Sequence, residues 1–242
     1  MFELSTLGLL AGILSGFFGI GGGTILVPLL LFSGYDMKEA IGVSVLQMVF
    51  SSTYGSYLNK RKKTLDTKMI LPIGIGGSVG ALLSGYITSS IDNVVLEVLF
   101  VSFALFALAR LFLKKKEDKK EIKLNKILLF SIGIVLGSIS MSIGVGGSIL
   151  LIPILVSFFH VPLKKAISAG LFFVIFSSVA GVISHGFMGH IDYQAGVIIG
   201  MASLLGVYVG IYLKDRVSLV LQKRLLVGFY LLVVIYLTYR IF

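Results

Sequence analysis

Two glycine-rich phrases are the part of this chain best suited to hold a ligand. Gly19-Ile20-Gly21-Gly22-Gly23-Thr24-Ile25-Leu26-Val27-Pro28 returns as Gly144-Val145-Gly146-Gly147-Ser148-Ile149-Leu150-Leu151-Ile152-Pro153. Glycine lets a backbone approach a ligand closely. A helix that starts just after such a turn offers N–H groups with no intrahelical partner and carries roughly half a positive charge at that end. Two such ends that converge make an anion site without any lysine or arginine. The candidate contacts are Gly21, Gly22, Gly23 and Thr24 from the first phrase, and Gly146, Gly147 and Ser148 from the second. Pro28 and Pro153 lie a turn into each following helix and free the carbonyls of Thr24 and Ile149. The competing reading makes the glycines close helix-packing contacts. Their duplication, with a proline trailing each copy, favours the ligand.

The next segment of each half brings polar side chains. Ser44, Gln47, Ser51 and Tyr54 fall on one face of a helix. Their counterparts are Gly170, Phe173, Ser177 and Ala180, so the pocket is expected to be asymmetric. Ser44, Gln47, Ser51 and Ser177 join the candidate substrate-binding set. A serine in a helix often bonds back to its own carbonyls instead, whereas an amide buried in lipid needs a partner. Asn59 and His185 end equivalent segments and are candidates for a gating or proton-linked role, because histidine titrates near neutrality. The plain alternative for His185 is a ring facing interfacial water. Glu97 is expected to reach the interface, Arg110 to snorkel, and Asp66 and Asp192 to cap the helices that follow them. There is no cysteine, which excludes disulfides, thiolate metal sites and thiol catalysis. No metal ligand set and no cofactor is expected. A hydrolase needs a nucleophile, a base and an oxyanion hole in mutual reach, and no serine near His185 forms a nucleophile motif. The chain therefore reads as a non-enzyme.

These residues must be positioned by elements that live in lipid. The apolar fraction is 57%, the charged fraction 13% and the mean hydropathy +1.03. Stretches of about 20 apolar residues, enough for a core of roughly 30 Å, recur along the chain. The net charge of +10 reads as the positive-inside signal of a membrane protein, not as a nucleic-acid footprint. The first apolar run carries only Glu3 and no basic lead, so no cleaved signal peptide is expected. The repeat continues beyond the glycines: Ala40-Ile41 matches Ala166-Ile167, Phe50-Ser51-Ser52 matches Phe176-Ser177-Ser178, Leu65-Asp66 matches Ile191-Asp192, and Gly80 matches Gly206. Such a duplication organises everything else.

Each half carries four apolar segments, about 4–33, 40–59, 68–89 and 92–113, then 127–160, 166–185, 194–213 and 223–241. At 1.5 Å per residue the first would reach roughly 45 Å, too long for one span. If every segment crossed once, the basic clusters would divide between both sides. If the first segment of each half folds back at its glycines, the clusters fall on one side, and only Lys38 and Arg240 remain opposite. The expected fold is therefore all-α integral membrane, with two inverted-topology repeats, each of three full spans plus a broken or re-entrant helical hairpin. Residues 1–113 form the first repeat, 114–126 a Lys-rich cytoplasmic linker and 127–242 the second repeat, with both termini outside. A duplicated break at matching places in two hydrophobic halves points to a transporter's binding site.

The pattern Gly-Ile-Gly-Gly-Gly with Pro28, then Ala40-Ile41-Gly42-Val43-Ser44, then Ser51-Ser52 to Leu65-Asp66, resembles the TauE/SafE sulfite exporter family, also called the toluenesulfonate uptake permease family. The second half repeats it through Gly144 to Pro153, Ser177-Ser178, His185 and Gly189-His190-Ile191-Asp192. The resemblance implies transport of sulfite, sulfoacetate or other sulfur-containing or organic anions across the cytoplasmic (inner) membrane. Members of that family often carry histidine where this chain has Asn59, so a role shared by two histidines does not carry over. The leading expectation is a secondary transporter that exports sulfite or an organosulfonate by alternating access around a midplane site at the two hairpin tips. The alternatives are a passive anion channel, or an uptake permease for another sulfur-containing or organic anion. The expected partners are a small anion and the bilayer, not nucleic acid, with room for a homodimer.

Overall fold

The computed structural model describes residues 1–18, 21–61, 67–112, 125–214 and 216–241, and every element among them is an α-helix. The first half holds α1 (Phe2–Phe18), α2 (Gly23–Phe32), α3 (Met37–Arg61), α4 (Thr67–Ala81), α5 (Ser84–Ser89) and α6 (Asn93–Phe112). The second holds α7 (Lys126–Ser142), α8 (Ser148–Ser157), α9 (Leu163–Phe187), α10 (Tyr193–Lys214) and α11 (Leu219–Ile241). Most of the expected linker, and Asp66, lie outside the described residues. So does the side chain of Asn59.

Four stretches are long and apolar enough to cross a bilayer: Ile70–Ser89, Lys165–Phe187, Tyr193–Leu213 and Val220–Arg240. Their outward faces carry Leu205, Tyr208, Leu232 and Ile235, all exposed. That is the surface an acyl-chain solvent demands. The breaks after the glycines also form. At ten residues each, α2 and α8 are about 15 Å long, half the core thickness. Local chemistry sets several helix starts. The Asp36, Asn125 and Asp192 side chains accept from the N–H groups of Glu39 (2.9 Å), Ile127 (2.9 Å) and Ala195 (3.0 Å), the capping role expected of Asp192.

One break is not visible in the sequence. Between α4 and α5, the Ser184 hydroxyl donates to the Leu82 carbonyl (2.6 Å) and accepts from the Gly85 N–H (2.9 Å). Both groups would otherwise serve the helix ladder. A side chain inserted there splits the helix.

Packing pairs matching positions of the two halves. α1 lies along α10, and α7 along α4. A Cβ placed on Gly12 would fall on the Ser203 backbone, and one on Gly137 would fall on the Gly77 backbone. The Phe50 ring covers Gly200, and the Phe176 ring covers Gly74. Through the centre, α3 and α9 cross antiparallel, with Val45 beside Gly181 and Leu171 beside Gly55. α2 rests on α3 and α8 on α9, and Gly23–Pro28 are all buried. α3 is 25 residues long yet carries the polar face. It is tolerated because its Ser44, Gln47, Ser51 and Ser52 are turned wholly inward.

Close backbone approach at Gly12 gives a test. Gly12→Leu must push α1 off α10. Overpacking of about 3 kcal/mol lowers the melting temperature of the detergent-solubilised protein by roughly 6–12 °C. Gly228 in α11 has nothing within 4 Å of its Cβ position, so Gly228→Ala stabilises the helix by about 0.5–1 kcal/mol and leaves the melting temperature equal or higher.

Candidate functional site

The two glycine turns meet. The Cβ position of Gly21 lies 3.5 Å from the Ser148 hydroxyl, and a Cβ on Gly23 would fall on the Gly144 carbonyl oxygen. The Ser44 hydroxyl donates to that same carbonyl at 3.1 Å, tying α3 to the second turn across 100 residues. The thioether of Met48 wedges against both turns, at Gly23 and at Gly146. Gly147 takes φ 71° and Gly21 φ 79°, a backbone region open to glycine at little cost. Each turn thereby reverses within a few residues.

The helix starts left by these turns are bare of side chains. Neither α2 nor α8 has a side-chain cap. The ladder of α2 begins with the Ile25 and Leu26 N–H groups on the Gly22 carbonyl (3.2 and 2.9 Å). The N–H groups of Gly23 and Thr24 precede it. In α8 the Leu150 and Leu151 N–H groups reach the Gly147 carbonyl (3.2 and 3.0 Å).

Gln47 stands over the first turn. A Cβ on Gly22 would collide with its carboxamide. The side chain is fully buried, and neither carboxamide atom has a partner among the described residues. The hydroxyls of Ser51, Ser52 and Ser56, further along α3, are buried and equally unpartnered. Their counterparts in α9 differ. Ser177 bonds back to the carbonyls of Phe173 (3.0 Å) and Val174 (3.4 Å), and Ser178 to that of Ile175 (3.3 Å). The asymmetry expected from the sequence is present, and Ser177 spends its hydrogen within its own helix. Thr24 lies at the turn, but its hydroxyl reaches the Gly21 carbonyl (3.4 Å).

The site is built without a cation. Among the described residues, the buried charged side chain is Glu97. It is enclosed by neighbouring helices and ion-paired with Arg240 (3.4 Å). Arg240 and Tyr236 also donate to the Leu31 carbonyl (3.1 and 3.2 Å) at the end of α2. That pair fastens the hairpin's far end to α11, away from the turns.

His185 is buried, with no face to interfacial water. One ring nitrogen, Nε2, lies 3.1 Å from the Met141 carbonyl, and Nδ1 lies 3.1 Å from Nδ1 of His190. A carbonyl can only accept, so Nε2 of His185 carries its hydrogen and Nδ1 accepts from His190. The outer nitrogen of His190 meets the Ser89 hydroxyl (3.2 Å), and Lys38 donates to the Ser89 carbonyl (3.1 Å). The ring pair thus ties α9 to α7 and α5. His190 as a partner was not legible beforehand: its five-residue spacing from His185 is not a helical contact.

The chain matches the family model described as "Sulfite exporter TauE/SafE" over residues 4–237. It belongs to the TauE/SafE family. Among relatives of this TauE/SafE protein, the probable membrane transporter YunE of Bacillus subtilis is 26% identical, covering 93% of this chain and 90% of the relative. The probable membrane transporter MJ0441 of Methanocaldococcus jannaschii is 27% identical over 89% and 86%. MamO of Magnetospirillum gryphiswaldense is 24% identical, and the match spans 42% of that longer protein. No solved structure matches. This TauE/SafE member is thus a multi-pass membrane transporter acting on a small substrate in a lipid bilayer, and not an enzyme.

The histidine pair generates a pH test. Burial, then the nearby Lys38 ammonium, hold the pKa of His190 below its ordinary 6.5, with Asp36 pulling the other way. The unfolded chain therefore takes up a proton below pH 6.5 that the folded protein resists, so stability is full above that pH and is lost as pH falls below it. Melting curves in detergent drop on acidification through this range, and His190→Gln flattens the drop.

Proposed function

We propose that this protein is a secondary transporter that exports a small oxyanion, sulfite or an organosulfonate, across the cytoplasmic membrane. The anion sits between the two glycine turns. Gln47 and Ser51 hold it together with the first N–H groups of α2 and the positive end of α8, whose Ser148 N–H is spent on the Gly146 carbonyl (2.9 Å), while Gly21–Gly23, Thr24, Ser44, Gly146–Ser148 and Ser177 build the walls. The observation that carries this reading is the meeting of the turns, Gly21 against Ser148, beside a wholly buried and unpartnered Gln47. A buried amide without partners costs free energy, and a site that lends it to a ligand recovers that cost.

Residues 1–113 and 127–242 act as two inverted repeats joined by a cytoplasmic linker over 114–126, with both termini outside. The antiparallel crossing of α3 and α9 supports inversion, because mates related by an axis along the membrane normal run parallel. The matched contacts Gly12–Ser203 and Gly137–Gly77 support a two-fold relation between the halves. The hairpins then enter from opposite faces, and one unit moves against the other to alternate access. His185, locked to His190 and Met141, gates the outer side; Asn59 takes the equivalent place within.

Proteoliposomes loaded with labelled sulfite test the proposal. Efflux is saturable, and Gln47→Leu slows it about ten- to a hundred-fold, the loss of one hydrogen bond to a charged group, about 1.5–3 kcal/mol. Absence of saturable flux with every sulfur oxyanion defeats the reading.

A further inference from the structure

We infer that the site accepts its oxyanion as a singly charged species that still carries an O–H, and that Gln47 is the residue that reads that hydrogen. The inference rests on the proposal that the glycine turns are the substrate site, and it divides substrates which that proposal leaves together.

Charge comes first. Two helix starts supply roughly half a positive charge each, about one in total. The buried charge among the described residues is Glu97, already paired with Arg240, and no lysine or arginine among those residues is buried. One negative charge is balanced. A dianion leaves a second charge uncompensated in a medium that penalises it heavily.

Hydrogen bonding then selects among monoanions. The Gln47 carboxamide carries one donor group and one acceptor side by side. Both are wholly buried, and both lack partners among the described residues. The pattern is the same whichever way the amide is turned. Ser44 gives its hydrogen to Gly144 and Ser177 to its own helix, and the Ser51 hydroxyl, though unspent, makes no hydrogen bond to the Gln47 amide oxygen. A sulfonate, R–SO3⁻, presents acceptors only. It satisfies the amide N–H and sets its lone pairs against the amide oxygen. A hydrogen oxyanion presents O⁻ next to O–H, so one oxygen accepts from the amide nitrogen and the other donates to the amide oxygen. The O–H form of hydrogen sulfite has this edge; organosulfonates and fully ionised sulfite do not. Sites built to bond a hydroxyl reject analogues that lack it much more strongly than apolar pockets reject added bulk.

The test uses two competitors of the same tetrahedral shape and charge that differ in the O–H. Methanesulfonate has none. Methylphosphonate, held at a pH below its second ionisation, has one. Both compete against labelled sulfite flux in proteoliposomes of the full chain. Hydrogen methylphosphonate inhibits at about ten-fold or more lower concentration than methanesulfonate, and Gln47→Leu brings the two within a few-fold of each other. Equal inhibition in the unmodified protein, or stronger inhibition by methanesulfonate, overturns the inference and leaves the transport reading intact. Loss of saturable sulfite flux with no competition by either compound overturns the transport reading, and the inference with it. The comparison in the unmodified protein decides the matter even if Gln47→Leu fails to fold.

Discussion

Backbone groups in lipid must find partners inside the protein, and this chain interrupts two apolar helices with buried glycine turns. The rest of the fold can be understood as the answer to that interruption. α2 and α8 are too short to span, so their glycine ends stop in the interior. The protein covers them with each other and with α3 and α9. Ser44 bonds the Gly144 carbonyl, and Met48 fills the space under both turns. What stays without a side-chain cap is the pair of helix starts.

The two halves share a plan and divide the labour. In α9 the serines close on their own carbonyls and the helix is chemically quiet around Ser177 and Ser178. In α3 the same positions, with Gln47, keep their polar atoms unpaired. A duplicated gene product need not keep a symmetric pocket. One half can supply packing while the other supplies recognition, because backbone dipoles are common to both and side chains are not. The third contributor, the His185–His190 pair, is again unsymmetric, since the mate of His185 is Asn59.

Next to the second turn, hydrogen bonds cross between elements in quick succession: Ser184 into the α4–α5 break, Thr88 to the Ser142 carbonyl (2.8 Å), His185 to the Met141 carbonyl that also accepts from the Gly144 N–H (3.3 Å). Each is worth little by itself in water, but in a low-dielectric interior a satisfied network holds its members rigidly. Separating these elements requires breaking several of the bonds together.

Composition and periodicity alone determined that this is a helical membrane protein and that its two glycine runs interrupt it, because hydropathy and glycine runs are local signals of great length and repetition. The polar face through Ser44, Gln47 and Ser51 was equally local, being fixed by helical spacing. Tertiary structure decided the rest. Which serines keep a free hydrogen, that Glu97 is enclosed with Arg240, that Ser184 splits α4 from α5, and that His190 completes His185 depend on partners set side by side only by the packing of helices. The Ser44–Gly144 and Ser184–Leu82 contacts join residues 100 and 102 positions apart. No pattern along the chain encodes such a pairing, because a hydroxyl chooses between its own helix and a neighbour according to which acceptor the packed fold brings within reach.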